Sequence, residues 1–470
     1  MTRVRFAPSP TGYLHIGGLR TALYNYLFAK QHNGKLILRI EDTDQNRLVD
    51  GAIENLIKTL KWSGIDFDEG PHKGGDFGPY TQSERLPIYQ EHVVELINNG
   101  NAYPCFYPKE RLSTIKEKNI PSDIVAEYDK RYRDLNSTES IERMITENHI
   151  IRLKIPSTGI ISIYDKIRGK IDFDLSLIQD QIIIKSDGYP TYHLASVIDD
   201  YLMNISHVIR GEEWISSLPK HVLLYQSFGW NAPEFIHLPL LLNKDRSKLS
   251  KRQGDVAVED YMNNGYLKDA LINFVSLLGW HGADNKEIYH IDELIEHFSI
   301  NRIRSSGAVF DIKKLTWFNQ EYIKNSNSNE LLPLVISSLS KKWEIKPSMI
   351  DLTKESVETL NDFQSKVAIF FEYTPLKVDK DNTQFTMDIY NFISDVVTAL
   401  KTKHQITSEE FKQIINDLKS TNNLSINVWK PLRIALTGHD QGPDIGKIVE
   451  ILGTDICLSR IQQFLETNVN

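Results

Sequence analysis

Polar and apolar residues alternate over Arg3-Val4-Arg5-Phe6, the period of a β-strand. Further on, Leu19, Ala22, Leu23, Tyr26 and Leu27 recur at i, i+3 and i+4, which predicts an amphipathic helix. Lys35 to Ile40 predicts a second strand. Asp44 to Leu60 predicts a helix with Ile53, Leu56, Ile57 and Leu60 on one face. Residues 66–79 are rich in Gly, Pro and Asp and read as a loop, and Ser83 to Asn98 returns to helix, closed by Asn99-Gly100. A βαβα order implies a parallel sheet with crossover helices, in which ligands gather at the carboxyl ends of the strands.

The pattern changes near Asn101. Residues 101–190 mix a charged helix, near Asp123 to Leu135, with short apolar strands such as Ile150 to Ile155, and read as an inserted α+β subdomain. The sheet is expected to resume at Tyr192 to Asp200 and again at His207 to Arg210. Gly211-Glu212-Glu213-Trp214 opens a helix running to about Phe228, and His237 to Leu242 reads as the last buried strand. A helical segment carries Ala270, Leu271, Phe274, Leu277 and Leu278. The polar run Asn325 to Asn329 lacks periodicity and reads as a domain boundary. From Leu331 to Asn470 the spacing is helical nearly throughout, which predicts an all-helical terminal domain.

A chain of 470 residues can hold several domains and a sizeable core. Its densest apolar stretch, Leu271 to Trp280, is too short to cross a bilayer and contains Asn and Ser. The motif-bearing sequence begins almost at the first residue, leaving no room for a cleaved targeting segment. Two cysteines, Cys105 and Cys457, argue for a reducing compartment. The expectation is a cytoplasmic protein without a membrane partner. A formal net charge of −8 lends no support to polyanion binding, although a local basic stripe is compatible with it.

The candidate chemistry begins at Phe6-Ala7-Pro8-Ser9-Pro10-Thr11-Gly12-Tyr13-Leu14-His15-Ile16-Gly17-Gly18. Strand, turn and helix N-terminus follow in quick succession, and a helix N-terminus with its unpaired N–H groups suits phosphate. Gly17 and Gly18 let a ligand approach the backbone, and His15 can donate to a phosphate oxygen. Taken alone, His-x-Gly-Gly reads more simply as a tight loop with a surface histidine. The second signal is Lys248-Leu249-Ser250-Lys251-Arg252, a basic cluster that in isolation is an ordinary solvated loop.

Together the two segments resemble the paired signatures of class I aminoacyl-tRNA synthetases. With Leu38-Arg39-Ile40-Glu41-Asp42-Thr43-Asp44 they resemble glutamyl-tRNA synthetases of the bacterial type. The resemblance implies a Rossmann-like catalytic fold over 1–100 and 191–245, interrupted by an acceptor-end-binding insertion over 101–190. A linking subdomain with the basic loop would cover 246–324, and a helical anticodon-binding domain 325–470. It implies ATP-dependent ligation of L-glutamate to tRNA(Glu) through a glutamyl-adenylate, with Mg²⁺ on the pyrophosphate, by a monomer. His15, Lys251 and Lys248 would be catalytic donors. Pro8, Ser9, Thr11, Gly12, Gly17, Gly18, Glu213, Trp214, Leu241 and Ser250 would complete the ATP site. Arg5, Ser9, Glu41, Tyr192, Ser196 and Arg210 would hold glutamate. Arginine forks suit its carboxylates and Glu41 its ammonium; for each, an ordinary salt bridge on the sheet rim is the plainer alternative.

Lys430 to Gly438 is similar to part of the family's anticodon domain, so Arg433 is a candidate tRNA contact, against a plain solvated helix face. Some members hold zinc in the insertion; here it contains only Cys105, and one thiolate cannot build a tetrahedral structural site, so no zinc is expected. Ser196 stands where some members carry Asn, and its shorter hydroxyl puts a direct contact in doubt unless water bridges it. Asp42, Asp44, Asp199 and Asp200 fit structural roles as well as metal binding. Two other readings stay open: a ligase that also charges tRNA(Gln), and a non-catalytic tRNA-binding relative. Arg210 favours an acidic side chain over an amide, which would leave the cation uncompensated.

Overall fold

The computed structural model describes residues 1–106, 130–249, 257–284, 286–379 and 384–469. It forms two compact units, Met1–Met262 with Lys268–Ile312, and Asn263–Leu267 with Lys313–Asn470.

In the first unit β1 (Arg3–Phe6) and β2 (Lys35–Leu38) pair in parallel, Arg3 opposite Lys35. Between them runs α1 (Ile16–Gln31), with Leu19, Ala22, Leu23 and Leu27 fully buried. The alternation in β1 does not mark a solvated face, because all four residues are buried. Its two arginines are covered because each meets a carboxylate, Arg3 with Glu69 at 2.7 Å and Arg5 with Asp200 at 2.9 Å. The helices α2 (Ala52–Trp62) and α3 (Leu86–Asn98) follow.

Five strands come next: β3 (Ala102–Phe106), β4 (His149–Leu153), β5 (Ile160–Asp165), β6 (Gly169–Asp174) and β7 (Ile182–Ile184). β3, β4 and β7 form an antiparallel sheet, and β5 and β6 a hairpin. β8 (His207–Gly211) and β9 (Glu234–Leu238) are parallel, and β9 also pairs in parallel with the end of β5 at Asp165. Ser206 donates its backbone N–H to Arg3 O at 2.9 Å, so β8 begins beside β1. Parallel strands β2, β1, β8 and β9 thus stand in one neighbourhood, with the β5–β6 hairpin at its far margin. β10 (Leu241–Leu242) and β11 (Ala308–Val309) make a short parallel pair.

Three expected elements differ. Tyr192–Leu202 is a helix, not a strand. Leu194, Ile198 and Val197 are buried there, and the i, i+4 spacing of Leu194 and Ile198 outweighs the β-branched Val-Ile pair. The expected strand His237 to Leu242 is two strands, β9 and β10, parted at Pro239, which has no N–H to offer a ladder. The helix expected from Asp44 starts at Ala52, after a single 3₁₀ turn at Gln45–Arg47 and Gly51 at φ 73°. Most of the expected Asp123–Leu135 helix lies outside the described residues, and its described end holds a 3₁₀ turn at Lys130–Tyr132.

In the second unit every described regular element is helical. Phe363, Phe392 and Phe411 are fully buried in its core. Asn319 ties in the short segment Asn263–Leu267: its Oδ1 accepts from Leu267 N at 2.7 Å, and its Nδ2 donates to Glu358 O at 2.6 Å. The polar run Asn325 to Asn329 turns the chain between helices Ile312–Asn325 and Ser328–Ser338, where Asn327 caps the second through Asn329 N at 2.8 Å.

Candidate active site

A cleft of about 680 Å³ opens where the strands of the first unit end. Phe6 at the end of β1 and Ala7 beyond it, Glu41 after β2, and Arg210 and Gly211 of β8 all line it. This is the edge at which a parallel sheet presents loops and helix N-termini to a ligand.

One wall is the loop from Pro8 to Gly18. His15 caps α1: its Nδ1 accepts from Gly18 N at 3.1 Å. An imidazole that accepts at Nδ1 carries its proton on Nε2, so the ring presents a donor on its other side. A Cβ at position 17 would lie 3.1 Å from that ring, so glycine leaves room for it to fold back over the helix end. The first turn of α1 has no acidic residue to offset its positive dipole end. A polyphosphate therefore fits this wall: backbone N–H groups, an imidazole donor and no competing carboxylate.

The segment bearing the second signature is fastened to the same wall at both ends. Leu249 N donates to Leu241 O at 2.9 Å, and Lys248 and Leu249 line the cleft. After it, Ala257 bridges to His15 and Val258 N donates to Leu14 O at 2.9 Å. Ser250 and Lys251 themselves lie outside the described residues.

The deeper end is built on arginines. Arg210 is 5 % exposed, yet no carboxylate lies within ion-pair distance of it among the described residues. Its Nε donates to His237 Nε2 at 3.0 Å, and its Nη1 to the Tyr192 hydroxyl at 2.9 Å and His221 Nδ1 at 3.2 Å. Among the described residues Arg5 is held by Asp200 through Nε alone. Arg39, fully buried, donates from Nη2 to Glu41 Oε1 at 3.0 Å and from Nη1 to Asp200 Oδ1 at 2.7 Å. Asp199 takes Arg85 at 2.7 Å and the hydroxyl of Tyr89 at 2.9 Å. Arg5, Arg39 and Arg85 thus face Glu41, Asp199 and Asp200 in a balanced buried set.

Burial pushes Asp200 up, but Arg5 and Arg39 together bring it below its ordinary value. Burial wins at Glu41, which stays raised despite Arg39 and Arg5. Both hydrogen bonds from Arg39 to Glu41 go to Oε1, and the residue borders the cleft, so a further cation there would be favoured. Among the described residues no cluster of His, Cys, Asp and Glu is arranged to hold a metal ion.

Of the residues singled out from sequence, Arg5, Pro8, Ser9, Thr11, Gly12, His15, Gly17 and Gly18 line this one cleft. So do Glu41, Tyr192, Arg210, Glu213, Trp214, Leu241 and Lys248. Tyr192 and Trp214 rings lie 4.2 Å apart, so residues expected in separate subsites share a wall. Ser196 does not line the cleft; it is fully buried, and among the described residues its hydroxyl finds no hydrogen-bond partner. Arg433, in the second unit, is half-buried and donates to Pro443 O at 2.6 Å.

Sequence reasoning passed over Arg20, Arg39, Asp165 and His237. Arg20 borders the cleft and donates to the carbonyls of Pro239 and Leu278. Its place four residues before Tyr24, on the buried face of α1, was the available signal. Arg39 stands in the motif that suggested Glu41, and its alternation with Leu38 and Ile40 marked it as a second strand arginine. Nothing in the sequence linked Asp165 to His237.

Comparison with known proteins agrees along the whole chain. The family described as tRNA synthetases class I (E and Q), catalytic domain, matches residues 1–317, and an anticodon binding domain matches 312–465. The glutamate–tRNA ligases of Alkaliphilus metalliredigens and Clostridioides difficile are each 43 % identical, the alignments covering 99 % of both chains. A crystal structure of a glutamate tRNA ligase from Elizabethkingia meningosepticum in complex with its amino acid superposes with a TM-score of 0.90 at 37 % identity, covering 99 % of each chain.

Proposed function

The chain belongs to the class I tRNA synthetases of the glutamate and glutamine group, and from that membership we propose that it ligates L-glutamate to tRNA(Glu) through a glutamyl-adenylate. One observation carries the choice of amino acid: Arg210, buried at the cleft without a carboxylate partner among the described residues. A cation so placed is compensated by an anionic side chain and not by an amide. Arg5 would take a second carboxylate oxygen, Glu41 the ammonium, and the Tyr192–Trp214 wall the carbon chain between them.

In the first step a glutamate carboxylate oxygen attacks the α-phosphorus of ATP and pyrophosphate leaves. No protein nucleophile takes part. The work of the residues is orientation and stabilisation of charge that builds on the phosphoryl oxygens. His15 donates from Nε2, the α1 N-terminus offers its amides, and Lys248 and Lys251 add positive charge. Mg²⁺, if it enters with the nucleotide, would supply positive charge against the pyrophosphate oxygens. In the second step the terminal ribose hydroxyl of tRNA attacks the mixed anhydride, and AMP leaves. The second unit would read the anticodon, with Arg433 one candidate contact, and residues 101–190 would grip the acceptor end. We take the protein to act as a cytoplasmic monomer without zinc; the insertion's single cysteine, Cys105, supports the last point.

The test is glutamate-dependent pyrophosphate exchange, with and without tRNA, followed by charging of purified tRNA(Glu) and tRNA(Gln) side by side. Charging of tRNA(Glu) alone is expected. Equal charging of both would establish a relaxed ligase, and no exchange under any condition would end the ligase reading. Lys251→Ala is expected to slow exchange about a hundredfold or more, with the Kd for glutamate nearly unchanged. The reverse pattern would remove Lys251 from the transition state.

A further inference from the structure

The inner side of Arg210 is closed by groups that the ligation chemistry does not use. His237 is fully buried on β9, and its Nδ1 lies 2.8 Å from Asp165 Oδ2. The same oxygen accepts from His237 N at 3.0 Å. The other oxygen, Oδ1, accepts from the amides of Ile167 and Arg168, each at 2.9 Å. Asp165 accepts from three backbone amides, and these with His237 hold its carboxyl below its ordinary value against burial, so it is ionised. The proton of His237 must then sit on Nδ1, and Nε2 is left as an acceptor for Arg210 Nε.

The second imidazole follows the same logic. His221 Nδ1 accepts from Arg210, so its proton is on Nε2 and is shared with His193 Nδ1 at 3.1 Å. Burial holds His221 and His193 below their ordinary values, with neighbouring cations adding to it, and burial likewise lowers His237 against the pull of Asp165. The arginine thus backs onto neutral acceptors: two imidazoles and the Tyr192 hydroxyl. The Asp165 carboxylate stands behind the His237 ring.

We infer that His237 is a positioning residue for the amino-acid subsite: anchored by Asp165, it orients Arg210 and keeps the two charges apart, so that the arginine meets the substrate carboxylate unneutralised. This rests on the glutamate reading of the cleft. A direct Asp–Arg pair would satisfy the guanidinium inside the protein and remove the reason for it to bind an anion. A neutral spacer gives Arg210 a fixed plane and a partial counter-charge, and leaves to the ligand its Nη2 edge, which makes only a long bond to Trp214 O at 3.5 Å. The spacer's anchor comes from β5, within the stretch that the sequence reads as an acceptor-end insertion, so that stretch reaches the back of the amino-acid site.

The experiment uses the full-length protein and its tRNA. His237→Leu is expected to raise KM for glutamate at least tenfold, with KM for ATP changed less than twofold. His237→Gln, which restores an acceptor toward Arg210, is expected to recover several-fold of that loss. KM values for glutamate and ATP that move together, or not at all, would overturn the inference. If His237→Leu does not fold, a cycle of His237→Gln with Arg210→Gln decides: no further loss in the double variant supports action through Arg210, and additive losses overturn it. A separate readout needs no substrate. In the ¹⁵N NMR spectrum of the wild-type protein, His237 is expected as the Nδ1–H tautomer near neutral pH. An Nε2–H tautomer or an imidazolium sinks the relay, whereas absent exchange activity with the expected tautomer sinks only the glutamate reading.

Discussion

A methyl group at position 17 would press on the His15 imidazole at 3.1 Å, while its neighbours leave the backbone otherwise undisturbed. Gly17→Ala is therefore expected to slow pyrophosphate exchange about tenfold by turning the ring, each such factor being about 1.4 kcal/mol of barrier. The same change is expected to leave the melting temperature level or raise it, since alanine is favoured over glycine in a helix by up to about 1 kcal/mol. A fall in both together would mean that the loop, and not the ring, had been damaged. Arg39 makes the opposite case. It is fully buried between Glu41, Asp199 and Asp200, so Arg39→Met strands carboxylates without a cation. A loss of about 3–5 kcal/mol in urea unfolding is expected; a loss under about 1 kcal/mol would show that the remaining arginines suffice. Arg5, Glu41 and Arg210 were legible because the segments that carry them resemble those of a known family, and each stands at or near the end of a strand. Arg39 and Asp165 were not, because their partners, Asp200 and His237, stand far along the chain and only folding brings them together.

The helix Tyr192–Leu202 shows how an element sorts residues that a linear reading keeps together. Tyr192 opens it and lines the cleft, Ser196 is one turn deeper and fully buried, and Asp199 and Asp200 finish it against the arginines. Tyr192 and Ser196 were both candidates for the substrate through the family resemblance, which does not show that one helical turn carries Ser196 away from the cleft. Ser196→Ala removes a buried hydroxyl that has no partner among the described residues. It is expected to stabilise the protein slightly, by about 1 kcal/mol or less, with KM for glutamate unchanged. A KM raised severalfold would reveal a water-bridged contact. The break at Pro239 has a similar lesson. A continuous apolar run, His237 to Leu242, looked like one strand, but β9 belongs to one sheet and β10 to another. Hydrophobic spacing identified the layers of the fold; the joints between them depend on hydrogen-bond accounting that spacing does not contain.

At the scale of the whole molecule, protons bear on the stability of the first unit. His193, His221 and His237, all in the first unit, are held below the ordinary imidazole value of 6.5, His193 at about 4. Unfolding frees them to take up protons, so the unfolded chain binds more of them below about pH 6.5. Stability of this unit is therefore complete above that pH and falls as the pH drops from about 6.5 toward about 4, by about 1.4 kcal/mol per pH unit for each histidine within its window. Glu41, with a raised value, opposes this in the acid range as a single group. Calorimetry of the full chain from pH 7.5 to 5 is expected to show the first unit's transition moving down, and His193→Gln is expected to shallow the slope. A transition that stays level would mean that these rings are protonated in the fold. The attachment of the β5–β6 hairpin to β9 has a practical bearing as well. Residues 101–190 do not make a detachable cassette, because Asp165 travels with them. A chimaera that borrowed this stretch from a distant relative could preserve every residue bordering the cleft and still misaim its amino acid, and a designer would need to splice outside the hairpin.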